Sequence, residues 1–227
     1  VAAADVLIVF VKAPRAGEVK TRLAAALGGP HARELYRLLA EEEIRRTRPA
    51  PGEYDRLFFF APPDARAEVE GWLPGETCLP QEGADLGARM ASAFDAAFAR
   101  GARRAAIVGT DAPSVSRELV NEALLALADH DMVLGPARDG GYYLMALDRR
   151  RPLLFQGIPW STPGVLAATV ERAQVLGLRL SVLEPHSDID TLEDLRREWT
   201  TVRPLLTGDP DLLAAVQAAL AGPPGSG

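Results

Sequence analysis

Two of the 25 basic residues in this 227-residue chain are lysines, and both fall in one short window, Lys12 to Arg22, together with Arg15. A chain that otherwise uses arginine keeps two ammonium groups here, and an ammonium is a compact, mobile point charge where a guanidinium is a planar fork. Lys12, Arg15, Lys20 and Arg22 carry enough positive charge to neutralise a di- or triphosphate. Three acidic segments could face them. Asp111 stands in Gly109-Thr-Asp-Ala-Pro113 directly after an apolar run; Mg²⁺ is typically held by one or two carboxylates plus phosphate oxygens. In Asp188-Ile-Asp190 the two carboxylates face the same way if the segment is extended. In Asp139-Gly-Gly-Tyr-Tyr143, two glycines, Gly140 and Gly141, would let a ligand come close to the backbone beside Tyr142. Each segment also has a plainer reading. The basic window is a solvated loop, Asp111 starts a turn before Pro113, Thr191 and Asp194 form a capping box, and Asp139-Gly140 makes a tight turn. Asp85, in Asp85-Leu-Gly-Ala-Arg89, is equally a helix cap and a ligand contact.

The elements that would position these groups alternate. Asp5 to Val11 is a nearly continuous apolar run, as expected of a strand buried on both faces of a parallel sheet. Pro14 and Gly17 make Lys12 to Lys20 a loop. A helical pattern starts near Thr21, breaks at Gly28-Gly29-Pro30 and resumes to about Arg48. Further strands are expected at Arg56–Ala61, Ala105–Val108, Met132–Leu134 and Leu178–Leu183, with an apolar run up to Leu147. Helices are expected over Asp85–Arg100, where Leu86, Met90, Phe94 and Phe98 recur at four-residue spacing, and over 116–128, 163–176, 191–201 and 210–220. This alternation predicts an α/β fold with a mostly parallel sheet, in one domain spanning 1–221, followed by a disordered Gly/Pro/Ser tail at 222–227. In such sheets anions bind where a strand's carboxyl end runs into a helix N-terminus. The basic window lies there.

Composition narrows the alternatives. The net charge of −6 argues against nucleic acid as a partner. No apolar run has the length of a membrane span and no secretory signal is visible, so the expected compartment is the cytoplasm, with no membrane partner. The single cysteine, Cys78, excludes an intramolecular disulfide and a cysteine-built zinc site. Neither a P-loop nor a dinucleotide fingerprint follows the first strand, and no G-x-S-x-G elbow exists.

The motifs LIVFVKAPRAGEVKTRL, QEGADLGARM, IVGTDAP, VLGPARDGGYYL and DIDTLEDL occur in this order across most of the chain. Together they resemble a bacterial family of uncharacterised transferases with the nucleotide-diphospho-sugar transferase (GT-A) fold, some labelled glycosyltransferases of arsenosugar biosynthesis. That family is similar to 2-phospholactate guanylyltransferase and to molybdenum-cofactor nucleotidyltransferases. The resemblance implies that Lys12, Arg15, Lys20 and Arg22 grip nucleotide phosphates, with Asp85 and Arg89 beside them. It also implies that Asp111, with Asp188 or Asp190, binds Mg²⁺ or Mn²⁺, and that Asp139, Gly140, Gly141 and Tyr142 border the acceptor. Many GT-A enzymes carry a D-x-D; here Asp111-Ala-Pro113 supplies one carboxylate, as in the nucleotidyltransferases. The expected function is therefore Mg²⁺-dependent transfer from a nucleotide donor to a small-molecule acceptor, nucleotidyl transfer first. Glycosyl transfer, with Asp139 as base, and a non-catalytic nucleotide-binding module are the alternatives.

Overall fold

A computed structural model of the chain describes residues 4–222. Of the tail expected at 222–227, residues 223–227 lie outside the described residues. The strands are β1 (Asp5–Lys12), β2 (Tyr54–Ala61), β3 (Cys78–Pro80), β4 (Ala105–Val108), β5 (Met132–Pro136), β6 (Tyr142–Leu147) and β7 (Leu180–Val182). They form one sheet in the order β3-β2-β1-β4-β6-β5-β7. All neighbours are parallel except those of β6, which runs antiparallel to both β4 and β5. The fold is the mostly parallel α/β arrangement the sequence predicts. β3 is an addition: three residues at the sheet's edge, ending in Pro80, which an edge strand tolerates because no partner needs its missing N–H.

The helices are α1 (Thr21–Leu27), α2 (Gly29–Arg46), α3 (Arg66–Trp72), α4 (Leu86–Ala99), α5 (Arg117–Ala126), α6 (Val165–Val175), α7 (Leu192–Arg197), α8 (Trp199–Val202) and α9 (Pro210–Ala221). Gly28, at φ 79°, separates α1 from α2 where the sequence pattern breaks. One sheet face packs on Met90, Phe94 and Ala97 of α4 and Ala173 of α6. The other packs on Ile44 of α2, Val69 of α3 and Val120, Ala123 and Leu124 of α5. A third apolar cluster joins α1, α2, α7, α8 and α9 around Leu35, Ile189, Leu195 and Leu212. Among the described residues no helix is long and apolar enough to cross a membrane.

Topology sorts the loops. From β1 the chain moves outward to β2 and β3, then returns to β4 on β1's other side. The loops after β1 and β4 therefore diverge and leave a crevice at their carboxyl ends, the usual ligand position in such sheets. Because β6 is reversed, the turn between β5 and β6 opens onto the same edge. That reversal brings residues 137–141 opposite the loop after β1.

The far edge of the sheet is held by charge. Asp5, 6% exposed, accepts hydrogen bonds from Arg103 at 3.1 and 3.0 Å and from Arg104 at 3.1 and 2.5 Å. Burial opposes ionisation of Asp5, yet the two guanidiniums hold its carboxyl below the usual range. A depressed carboxylate stabilises the fold above its unfolded pKa and loses that contribution as pH falls. Asp5→Asn is therefore expected to cost about 2–3 kcal/mol at pH 7, a figure reduced for the exposure of Arg103. The difference from wild type should shrink below about pH 4. Denaturant titrations at pH 7 and pH 3 check both statements; an equal loss at both would contradict the ionic origin.

Candidate active site

A cleft of about 680 Å³ opens at the carboxyl ends of β1 and β4. Phe10, Lys12, Lys20, Gln81, Asp111 and Trp160 are among its lining residues. A second cavity of about 400 Å³ continues past Asp111 toward Arg22, Asp139, Gly141, Asp188 and Asp190. The candidate residues read from separate segments thus meet on one edge, with one exception.

The exception is Arg15. Its guanidinium turns away from the cleft to Glu68 at 2.9 Å and Asp64 at 3.3 Å, so it fastens the loop to the region around α3. Lys20 is in the cleft but is not free. Its Nζ lies 2.5 Å from Asp111 Oδ1 and 2.9 Å from Asp190 Oδ1, and its side chain is 2% exposed. Burial alone would push this ammonium toward its neutral form, but the two carboxylates hold its pKa well above the ordinary lysine value. Burial likewise opposes ionisation of Asp111, and Lys20 overrides it, so the Asp111 carboxyl titrates below its usual range. Lys12, Arg22 and Arg89 also line these cavities. None of the three forms an ion pair among the described residues. Arg89 donates from Nε to the Gly83 carbonyl at 3.2 Å.

The carboxylates are positioned by backbone. The Ile189 N–H donates to the Asp111 carbonyl at 3.0 Å, and Ile189 itself is fully buried in the α1–α2–α9 cluster. With Ile189 pointing inward, Asp188 and Asp190 flank it on the cleft side. Burial, followed by the nearby carboxylates of Asp139 and Asp190, pushes Asp188 up to about 6. The capping box at α7 is also present, made by Thr191 and Asp194, which leaves Asp188 and Asp190 for the cleft. Asp85 caps α4 by accepting from the Ala88 N–H at 2.8 Å, and it lines the cleft as well. Across the cavity, Asp139 Oδ1 accepts from the Gly141 N–H at 2.9 Å, and the Tyr142 hydroxyl points at Met90 Sδ, 3.8 Å away.

Asp111 and Asp190 are hard oxygen donors that already share one cation. Among the described residues no group of three or more His, Cys, Asp or Glu is arranged to hold a metal ion. A pair of carboxylates fits Mg²⁺ or Mn²⁺ provided that substrate phosphates and water complete the coordination shell.

Sequence reasoning did not single out Tyr36 and Glu43. The Tyr36 hydroxyl accepts from the Lys12 N–H at 2.8 Å and lies 3.1 Å from both the Lys12 carbonyl and Thr110 Oγ1, so α2 ties together the ends of β1 and β4. Glu43, 1% exposed, accepts from the Ala112 N–H at 3.1 Å through Oε2. Its other oxygen has no partner. Burial and the neighbouring Asp111 push this carboxyl well above the usual range. The available signal was an acid falling on the apolar face of α2, among Leu39, Ala40 and Ile44.

Comparison with known proteins points the same way. Residues 46–162 match a family described as an uncharacterized protein conserved in bacteria, DUF2064. The phosphoenolpyruvate guanylyltransferase of Chloroflexus aggregans is 30% identical over 193 residues, 82% of this chain and 93% of that one. A crystal structure from Desulfovibrio desulfuricans G20, provisionally named a nucleotide-diphospho-sugar transferase, is 32% identical. It superposes with a TM-score of 0.85, covering 94% of this chain and 98% of the other. The 4-diphosphocytidyl-2C-methyl-D-erythritol synthase of Anaerococcus prevotii shares the fold at 12% identity, with a TM-score of 0.57 and coverage of 88% and 99%.

Proposed function

The chain belongs to the DUF2064 family and is a transferase of the nucleotide-diphospho-sugar transferase fold, and from that footing we propose that it moves a nucleotidyl group from a nucleoside triphosphate to a phosphorylated small molecule, with Mg²⁺. The observation that carries this reading is the distribution of charge in the cleft. Three cations without carboxylate partners among the described residues, Lys12, Arg22 and Arg89, stand around a carboxylate pair that shares a single positive charge.

In the proposed step an oxygen of the acceptor phosphate bonds to the α-phosphorus. The bond from that phosphorus to the β-phosphate oxygen breaks, and pyrophosphate leaves. No general base is needed, because the attacking group is already an anion. Lys12 and Arg89 orient and neutralise the triphosphate, while Arg22, on the far side of Asp111, meets the acceptor's negative charge. Asp111 and Asp190 would hold the metal, which would supply further charge neutralisation at the reacting phosphate. Chemistry of this kind depends on positioning and electrostatics.

The test is thermal unfolding with a panel of triphosphates and nucleotide sugars, each with and without Mg²⁺, followed by product analysis with the best donor. Saturation at about 100 times Kd stabilises by about 2.7 kcal/mol. At ~2–4 °C per kcal/mol for a chain of this size, the midpoint should rise roughly 5–10 °C. Pyrophosphate as product supports the reading, and a nucleoside diphosphate overturns it. The latter would mean glycosyl transfer, for which Asp139, lining the second cavity, is the candidate base.

A companion prediction concerns the loop. Lys12→Ala should raise KM for the triphosphate by about tenfold or more, the usual value of a charge-assisted contact. Arg15→Ala should move it far less, since its guanidinium is spent on Asp64 and Glu68. Steady-state kinetics of the two variants side by side decide this, and equal effects would contradict the assignment.

A further inference from the structure

We propose that Lys20 is a tethered stand-in for the divalent cation: its ammonium holds Asp111 and Asp190 together in the free protein, and a metal must displace it to bind. The displacing metal is the one invoked above, but the competition between lysine and metal does not depend on which group the enzyme transfers.

Three independent features converge on Lys20. The first is atomic. Nζ lies 2.5 Å from Asp111 Oδ1 and 2.9 Å from Asp190 Oδ1, deep in the cleft. A magnesium ion sits about 2.0–2.1 Å from a carboxylate oxygen. The ammonium occupies the position between Asp111 Oδ1 and Asp190 Oδ1, so a metal that bridges these same two oxygens must displace it.

The second is backbone strain. Lys20 precedes α1 in a left-handed conformation, φ 47° and ψ 44°. That region costs a non-glycine residue of order 1–3 kcal/mol and persists only where surroundings enforce it. Lysine provides no side-chain cap to the helix, unlike the serine, threonine or aspartate usual at that position. The ammonium's contacts with the two aspartates can offset the cost of this conformation.

The third is ligand count. With no group of three or more carboxylates, imidazoles or thiolates arranged to hold a metal ion among the described residues, the protein alone offers a metal an incomplete shell. An ammonium suits such a pair well, since it needs acceptors but no fixed coordination geometry. The arrangement keeps two like charges from facing each other unpaired. It also sets an order of events: the metal enters with phosphate oxygens that complete its shell, and the released ammonium, on its flexible stem, is then free to meet those phosphates.

The experiment measures Mn²⁺ binding, by electron paramagnetic resonance of the free ion, to wild type, Lys20→Met and Lys20→Gln with no nucleotide present. Both variants should bind Mn²⁺ about tenfold or more tightly than wild type. Their unfolding midpoints should also rise further on adding Mn²⁺ than the wild-type midpoint does, which keeps the test readable if removing the buried ammonium weakens the fold. Equal or weaker binding in both variants overturns the proposal. So does tight Mn²⁺ binding by unaltered protein without nucleotide, a result that stands even if neither variant folds. Because no nucleotide is used, failure here leaves the nucleotidyl-transfer reading intact, and failure of the donor and product assays leaves this one intact.

Discussion

Asp111→Asn is expected to lower kcat by about 10²–10³-fold, the usual loss when one preorganised electrostatic contact to a reacting centre is removed. The substitution keeps shape and polarity but takes away the charge that pairs with Lys20 and that the proposed metal would need. Asp190→Asn is the matched comparison, since it also removes one of the two partners of Lys20. Both variants should lose a few degrees of thermal stability, because a buried ammonium is left with a single carboxylate. The rate loss in Asp111→Asn should nevertheless persist well below both unfolding midpoints. The loop carrying this residue stays in place, fixed by the Ile189 N–H to the Asp111 carbonyl and by Glu43 to the Ala112 N–H. Kinetics at saturating donor and limiting Mg²⁺ give the answer, and turnover close to that of wild type would remove Asp111 from the reaction.

The second large effect is structural and falls on adjacent glycines. Gly140 has φ 94°, and a Cβ added there would lie 2.1 Å from the Pro163 carbonyl oxygen, a backbone atom with no rotamer to escape into. Gly141, next in sequence, lacks the positive φ, and its added Cβ would meet the tip of the Asp139 side chain at 3.2 Å. Gly140→Ala should therefore destabilise by about 2–4 kcal/mol, lowering the midpoint by roughly 5–15 °C. Gly141→Ala should stay within about 1 kcal/mol of wild type. Parallel thermal melts suffice. Equal midpoints would mean that this turn is not seated against residue 163, and the wall it gives the second cavity would have to be redrawn.

The readable part of this protein is what local pattern controls. Apolar runs such as Leu7–Val11 mark buried strands, and the residues just past them, Lys12 and Asp111, sit at strand ends whatever the tertiary details. The pairing of charges is not local. Lys20 finds Asp190 across 170 positions of sequence, and Arg15 finds Glu68 across 53, so a basic window read as one phosphate grip divides into separate jobs. Glu43 looked like one of three consecutive acids on a helix; only the packing of α2 under β4 shows that it alone is buried. The direction of β6 was equally hidden, since an apolar run reads the same whichever way it enters a sheet. β3 escaped because three residues ending in proline carry no periodicity.

The loop after β1 is pinned at both ends by different parts of the molecule. At Lys12 the backbone is clamped by the Tyr36 hydroxyl, and at Lys20 the side chain is moored to Asp111 and Asp190. Val19, 2% exposed, adds a third fastening by packing with Tyr36 and Ala40. Between these points the span of residues 14–18 is tied by the Arg15 side chain to Asp64 and Glu68 and by two short-range backbone bonds, Arg15 to Ala13 and Glu18 to Arg15. In amide hydrogen exchange the span should trade its protons early while the Lys12 amide is retained, so the loop would flex like a bridge deck rather than swing like a gate.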